Sequence, residues 1–323
     1  MNRKDFIKNI GLLTAAGLTV PELMLADESE VSYSKKLKKI GVQLFSVPAG
    51  LEKDFEVTIT SLAYMGFKEI ELFGPYPYSA QSAKDRWAAI TPMLGFSGSG
   101  YFGKSEAYVK SIFDANGLTI PAMHTDLDTL EQNMESLGKA AKVLGFEYVI
   151  LPAIPEERRK NLDDYKKMAD SFNAIGIAAK REGIKFAYHN HGYGLSEVDG
   201  QVPLDMLLDR TDPELVFLEM DLFWTIAGRA DPIAYLKRYS GRYRSMHVKD
   251  MKAIKHFAGD GGDPSQWIAL FPNMVSAGEG VVDLKTIIPV ALKNGVNHFF
   301  VEQDMVQNPA LALKSSFDYL SSI

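Results

Sequence analysis

The stretch Glu182-Gly183-Ile184-Lys185-Phe186-Ala187-Tyr188-His189-Asn190-His191 carries a helix stop, a buried strand and a polar strand end in immediate succession. Gly183 suits the left-handed position that closes a helix, and the apolar and aromatic residues after it suit a strand covered on both faces. The same stop-and-start pattern recurs along the chain. It reads Met65-Gly66-Phe67-Lys68-Glu69-Ile70-Glu71-Leu72, then Asn116-Gly117-Leu118-Thr119-Ile120, then Leu144-Gly145-Phe146-Glu147-Tyr148-Val149-Ile150-Leu151, and finally Asn294-Gly295-Val296-Asn297-His298-Phe299-Phe300-Val301. Three further strand runs lack the glycine: Ile40–Phe45, Leu215–Asp221 and Tyr243–Lys249. Helical patterns fill the intervals, among them Asp54–Tyr64, Leu130–Val143, Asp163–Arg181, Pro232–Tyr239 and Leu284–Lys293. About eight alternations over roughly 250 residues predict an α/β fold, a single (β/α)8 TIM barrel. An open doubly wound sheet would carry a glycine-rich phosphate turn after its first strand, and Leu44-Phe45-Ser46-Val47-Pro48 has none.

Composition agrees with a packed domain. Of 323 residues, 46% are hydrophobic and 24% charged, which excludes disordered, collagenous and coiled-coil chains. The net charge of -6 and pI of about 5.6, without a basic run to follow a phosphate backbone, argue against a nucleic-acid partner. With no cysteine there are no disulfides, thiolate metal sites or cysteine nucleophiles. Any polar chemistry must come from six histidines and the carboxylates.

Residues 1–26 read as an export signal. Arg3, Lys4 and Lys8 form its positive end, the apolar run Ile10–Val20 is shorter than the ~20 residues a membrane span needs, and a small-residue cleavage point follows Ala26. The start is Tat-like but has Lys4 in place of the second arginine, so Sec export stays open; an amphipathic first helix is disfavoured by Pro21 and the acidic Asp27-Glu28-Ser29-Glu30. Residues 27–37 read as a linker and 38–323 as the catalytic barrel. A periplasmic location, a mature chain without a membrane span and an unphosphorylated substrate are expected. The oligomeric state is left open, a homo-oligomer included. Two connections exceed what a barrel needs, Gly74–Lys104 after strand 2 and His256–Gly280 after strand 7. Their aromatics and glycines suit ordered lids that stack on sugar rings, or else simple surface insertions.

The ionisable residues gather at one end of the strands: Gln43, Glu71, His124, His189-Asn190-His191, Glu219-Met220-Asp221, His247-Val248-Lys249-Asp250 and Glu302-Gln303-Asp304. That end is the carboxyl end, where barrels of this kind carry their sites. Residues two apart on a strand share a face, so His189 pairs with His191, Glu219 with Asp221 and His247 with Lys249. A lone strand histidine is more often a hydrogen-bonded core residue than a ligand. A ring of histidine and carboxylate on several strand ends is what a divalent ion requires, and Mn²⁺, Co²⁺, Zn²⁺ and Mg²⁺ all fit. His191, Lys249, His124, Glu71 and Gln43 are then candidates for holding substrate oxygens, with Lys249 equally suited to pair with Asp250 or Glu219. Glu279, between two glycines in Gly278-Glu279-Gly280, is a weaker candidate. Trp224 suits core packing better than an apolar wall, and His256 and His298 read as surface or structural.

Over residues 38–320 the chain resembles the xylose isomerase-like TIM-barrel superfamily, the sugar phosphate isomerase/epimerase group that also includes inosose dehydratases. The resemblance rests on Gly41-Val42-Gln43-Leu44, Ala187-Tyr188-His189-Asn190-His191, Glu219-Met220-Asp221-Leu222-Phe223-Trp224, His247-Val248-Lys249-Asp250, Gly278-Glu279-Gly280 and Val301-Glu302. It implies one divalent metal ion held by His189, Asp221, His247 and Glu302, with Glu302 and His189 as the proton-transfer residues. It further implies a sugar isomerase or epimerase that abstracts the proton beside a carbonyl through an enediolate. Many members have glutamate where His189 stands, which makes the acid–base pair unsymmetrical. A lyase or dehydratase acting on a keto-sugar, keto-glycoside or cyclitol is therefore the alternative, and a non-catalytic sugar-binding barrel the third reading. The barrel endonucleases of DNA repair need more histidines and a basic surface.

Overall fold

Eight parallel strands close on one another, each ending where an inward side chain meets the mouth. In a computed structural model that describes residues 37–323, they are β1 (Gly41–Gln43), β2 (Glu69–Phe73), β3 (Thr119–His124), β4 (Tyr148–Leu151), β5 (Lys185–His189), β6 (Val216–Asp221), β7 (Tyr243–Val248) and β8 (His298–Val301). β1 pairs with both β2 and β8, so the sheet closes as a barrel. The expected export signal and most of the linker lie outside the described residues, and no described helix is long and apolar enough to cross a membrane.

Left-handed glycines do stop the helices that precede the strands: Gly66 and Gly145 stand at φ 115° and 85°, each directly after its helix. Three boundaries differ from expectation. β1 ends at Gln43, because that side chain accepts the Phe45 N–H at 3.1 Å and turns Leu44–Ser46 into a short 3₁₀ segment. β3 begins at Thr119, one residue after the Leu118 that follows Gly117, and reaches His124, where the polar strand end was expected. The helix expected over Leu130–Val143 is two helices, Leu127–Gln132 and Met134–Leu144, separated at Asn133, the first capped by Asp126.

The barrel interior is layered. Its apolar middle holds Ala122, Tyr148, Ile150, Ala187, Phe217 and Phe300, a cluster distinct from the larger one between strands and helices. Phe300 leans so far across that a Cβ on Gly41 would sit 2.4 Å from its ring, which explains the glycine that opens β1. Above this layer come the polar residues of the mouth, and the ring of His247 lies 6.2 Å from that of Phe300.

Both long connections are structured. Gly74–Lys104 contains a helix, Gln81–Leu94, and packs its aromatics on themselves and on the end of β2: Trp87 and Phe96 both lie against Phe73. His256–Gly280 contains the helix Pro264–Leu270, whose Trp267 ring lies 4.6 Å from that of His191. Only the second loop brings a tryptophan to the mouth residues, which narrows the lid expectation to that side.

Candidate metal centre and active site

The polar layer has an inner and an outer shell, divided by the two nitrogens of each imidazole. On the inner side, one oxygen of Glu219, Oε2, lies 2.7 Å from His124 Nε2, 3.0 Å from His189 Nδ1 and 3.2 Å from His247 Nε2. Glu71 Oε2 lies 2.6 Å from the same His247 nitrogen and accepts from Gln43 Nε2 at 2.8 Å. His124 stacks on His247 with ring centres 5.2 Å apart. Glu71, Glu219, His247 and Gln43 are wholly buried, so each charge here must be balanced by a neighbour.

On the outer side, His247 Nδ1 faces Glu302 Oε2 at 2.8 Å and Asp221 Oδ2 at 3.9 Å, while His189 Nε2 faces Asp221 Oδ2 at 3.7 Å. Asp221 Oδ1 accepts the Trp224 N–H at 2.9 Å, capping the following short helix and fixing the carboxylate. Asn190 braces the same turn through the Asp221 N–H and Thr225. Asp221 Oδ2 is buried and accepts no well-aligned hydrogen bond, its charge being met by Lys249 Nζ at 2.9 Å.

These contacts decide which atoms can take a metal. Two groups of side chains are close enough: His124, His189, Glu219 and His247 on the inside, and Asp221, His247 and Glu302 on the outside. Glu219 is best satisfied if the nitrogens it faces carry protons. The outward nitrogens of His189 and His247 then face Asp221 and Glu302, and His247 Nδ1 would become a lone-pair donor once a cation displaces the proton it gives to Glu302. Carboxylates that fix ligand imidazoles in this way are the usual support of a metal site. Asp221 Oδ2, held by a cation but by no well-aligned hydrogen bond, and the two outward imidazole nitrogens fit a divalent cation, with His189, Asp221, His247 and Glu302 as its holders. His189 stands at the edge of this set, reaching it through Asp221.

Burial and charge pull the groups apart. Burial, with the charge of Glu219, pushes the Glu71 carboxyl up to about 7. Against the cost of burial, His247 and His124 hold Glu219 well below the usual carboxylate range, and Lys249 and His247 do the same for Glu302. Burial likewise opposes the charging of His247, yet Glu219, Glu302 and Glu71 hold it well above its ordinary value. His189 has no such surplus of anions, and burial pushes it down to about 4.

The remaining expected residues divide. His191 lies beside His189 with ring centres 5.1 Å apart, gives its Nδ1 proton to the Pro152 carbonyl at 2.7 Å, and stacks on Tyr193 and Trp224. Its Nε2 is left for a ligand. Gln43, Glu71 and His124 sit in the inner shell and are bonded to protein partners, although Glu71 Oε1, like Glu219 Oε1, is buried without a hydrogen-bond partner. Lys249 pairs with neither Asp250 nor Glu219 but with Asp221, Glu302 and Asp304. Glu279 does not join the cluster: it is exposed, and its Oε1 accepts from Ser315 on the C-terminal helix. The glycines beside it carry the structural role, since Gly278 and Gly280 give their N–H groups to Asp250, and a Cβ on Gly280 would meet the Met251 carbonyl at 2.2 Å. Trp224 is buried, His256 is bonded to the Ile226 carbonyl at the surface, and His298 pairs with Glu69 near the strand starts, as expected for structural residues. Glu219 and Asp304 are the residues missed as site members, although both stood on the strand ends.

A closed parallel barrel whose mouth converges histidine and carboxylate defines a class of barrels able to hold a metal at the carboxyl ends of their strands. The chain belongs to the family described as xylose isomerase-like TIM barrel, which matches residues 59–323. It is 25% identical over 275 residues to an inosose dehydratase of Clostridium perfringens, covering 81% of this chain and 86% of the relative. Among solved structures it is similar to a sugar phosphate isomerase/epimerase from Parabacteroides distasonis, with TM-score 0.69, 22% identity and coverage of 90% and 96%. It is also similar to the IolI protein with a bound zinc atom, with TM-score 0.62, 16% identity and coverage of 88% and 98%.

Proposed function

We propose that the protein is a divalent-metal-dependent enzyme that removes the proton beside the carbonyl of an unphosphorylated keto-sugar or keto-cyclitol and then expels the oxygen substituent on the next carbon, as a dehydratase or lyase. The observation that carries this reading is the inequality of the two proton-transfer positions. Glu302 is a carboxylate held ionised at the edge of the mouth. Across from it His189 is neutral, with Nδ1 on Glu219 and Nε2 toward Asp221, which leaves it no proton to deliver. One base serves an elimination on a single face, whereas epimerisation wants a donor on the opposite face.

A divalent ion in this site supplies Lewis-acid polarisation of the carbonyl and so acidifies the neighbouring C–H bond. Glu302 takes that proton, the C–H electron pair becomes the new double bond, and the carbon–oxygen bond to the leaving group breaks. Glu302 then returns its proton to the departing oxygen, giving water or an alcohol. His191 Nε2 can accept a hydrogen bond from a ring hydroxyl beside Trp267. The name of the clostridial relative supports dehydration, and the zinc in IolI supports Zn²⁺ among the candidate ions.

Isomerisation or epimerisation is the second reading. It shares the first proton transfer and is favoured by the free Nε2 of His191, a second group at the mouth. Loading the protein with Zn²⁺ or Mn²⁺ and offering a 3-keto-glucoside, an inosose and a simple ketose in D₂O separates the two. Elimination gives loss of water or aglycone; isomerisation gives a deuterated product of the same composition. If none of the three loses water or aglycone or exchanges deuterium, both readings are overturned and a sugar-binding barrel is left. Residues 1–26 support a periplasmic location, tested by the N-terminal sequence and compartment of the mature chain.

A further inference from the structure

Lys249 lies at the point where three buried carboxylates converge. Its Nζ is 2.9 Å from Asp221 Oδ2, 2.5 Å from Glu302 Oε2 and 2.7 Å from Asp304 Oδ2, and the residue is 1% exposed. The first two oxygens are those the metal reading needs. The third belongs to Asp304, which lies beyond the strand end and whose only side-chain hydrogen bond or ion pair among the described residues is with Lys249. On the β6 side the Trp224 ring stands 5.5 Å from Nζ and limits movement in that direction. An ammonium and a divalent ion cannot share the same two oxygens at these distances without strong repulsion in a buried setting. The two cations therefore compete, and the fold supplies a third carboxylate to which the weaker one can retreat.

We propose that Lys249 is a resident counter-ion of the metal site, balancing Asp221 and Glu302 in the metal-free protein and withdrawing onto Asp304 when a divalent ion binds. Asp304 is thus a positioning residue that sets metal affinity through Lys249 without touching the metal. The inference rests on the metal reading above.

The test is calorimetric titration of chelator-stripped protein with Zn²⁺ and Mn²⁺, beside melting curves with and without metal, for the wild type, Lys249→Met, Asp304→Asn and the double variant. Lys249→Met should bind at least about tenfold more tightly than the wild type, since a buried like charge is removed from beside the ion. It should also melt lower without metal and recover with it. Asp304→Asn should bind at least about fivefold more weakly, and this effect should shrink below about twofold in the Lys249→Met background, because the two residues act as one unit. An Asp304→Asn effect that persists in that background overturns the proposal, as do affinities within twofold of wild type in both single variants. If Lys249→Met does not fold, tighter or unchanged binding by Asp304→Asn overturns it alone. A wild type that binds neither ion overturns the metal reading itself, and the inference with it.

Discussion

Glu219→Gln perturbs the inner shell while leaving every outer ligand in place. A single oxygen, Glu219 Oε2, lies within hydrogen-bonding distance of three imidazoles, at 2.7, 3.0 and 3.2 Å, and two of these belong to the expected ligands His189 and His247. Glutamine keeps the shape but carries no charge, and hydrogen bonds to an ionised acceptor are about twice as strong as neutral ones. Without the carboxylate, His189 and His247 lose the preference for protons on their inner nitrogens, and their outward nitrogens are no longer committed as lone-pair donors. Loss of such a supporting partner weakens metal binding about 10- to 100-fold, or roughly 1.4 to 2.8 kcal/mol. Calorimetric titration of the stripped variant with Zn²⁺ measures this directly, and the absorption of a Co²⁺-loaded sample reports whether the ligand geometry has changed. Affinity within twofold of the wild type, together with an unchanged Co²⁺ spectrum, would refute the assignment of Glu219 as the residue that sets the imidazole tautomers.

Three further outcomes follow from the same geometry. Glu302→Gln should slow exchange of the substrate's α-proton with solvent by roughly 10²- to 10⁴-fold, the usual contribution of a general base; exchange in D₂O followed by NMR at wild-type rates would remove Glu302 from that role. Glu71, raised to about 7 from an unfolded value near 4.5, contributes stability that is complete below pH 4.5 and lost as pH rises through 7. Glu71→Gln should therefore stabilise the chelated protein at pH 8 by about 3 kcal/mol relative to its effect at pH 4.5, and a difference in melting temperature that stays constant from pH 5 to 8 would contradict this. Asp250 is buried and accepts the N–H groups of Met251, Gly278, Gly280 and Val282 at 2.7 to 3.0 Å. Asp250→Ala should cost about 3 kcal/mol in chemical denaturation, by removing the acceptor of four backbone donors, two of them (Met251 and Val282) buried, and a loss under 1 kcal/mol would show that water replaces the carboxylate.

The barrel was legible because its signals are local. A glycine that must be left-handed, followed by residues that fit a strand, marks a helix end and a strand start without reference to the rest of the chain. Strand ends placed His189, Asp221, His247, Lys249 and Glu302 at one mouth, and parity paired Asp221 with Glu219 and Lys249 with His247. The choice of His189, Asp221, His247 and Glu302 as ligands came from the family resemblance. Parity gives the face but not the depth: Glu219 and Asp221 share a face of β6, yet one lies beneath the imidazoles and the other beside the expected metal. The partners of Lys249 were hidden for a related reason. Asp250 is next in sequence, but its carboxylate is taken by three backbone donors from a distant loop and by the Met251 N–H, whereas Asp304 comes from beyond the end of β8. Gln43 could be seen as a strand end, but not as the cap that ends its own strand. In Gly278-Glu279-Gly280 the acid drew attention, while the glycines, which allow the backbone to close on Asp250, are what the fold uses.

The most direct test of the metal centre is an anomalous difference map from crystals of the protein grown with Zn²⁺ or Mn²⁺. The predicted result is one strong peak bounded by His189 Nε2, Asp221 Oδ2, His247 Nδ1 and Glu302, lost in Asp221→Ala. A peak enclosed instead by Glu71, His124 and Glu219, or no peak at saturating metal, would contradict the division into a supporting inner shell and a ligating outer one.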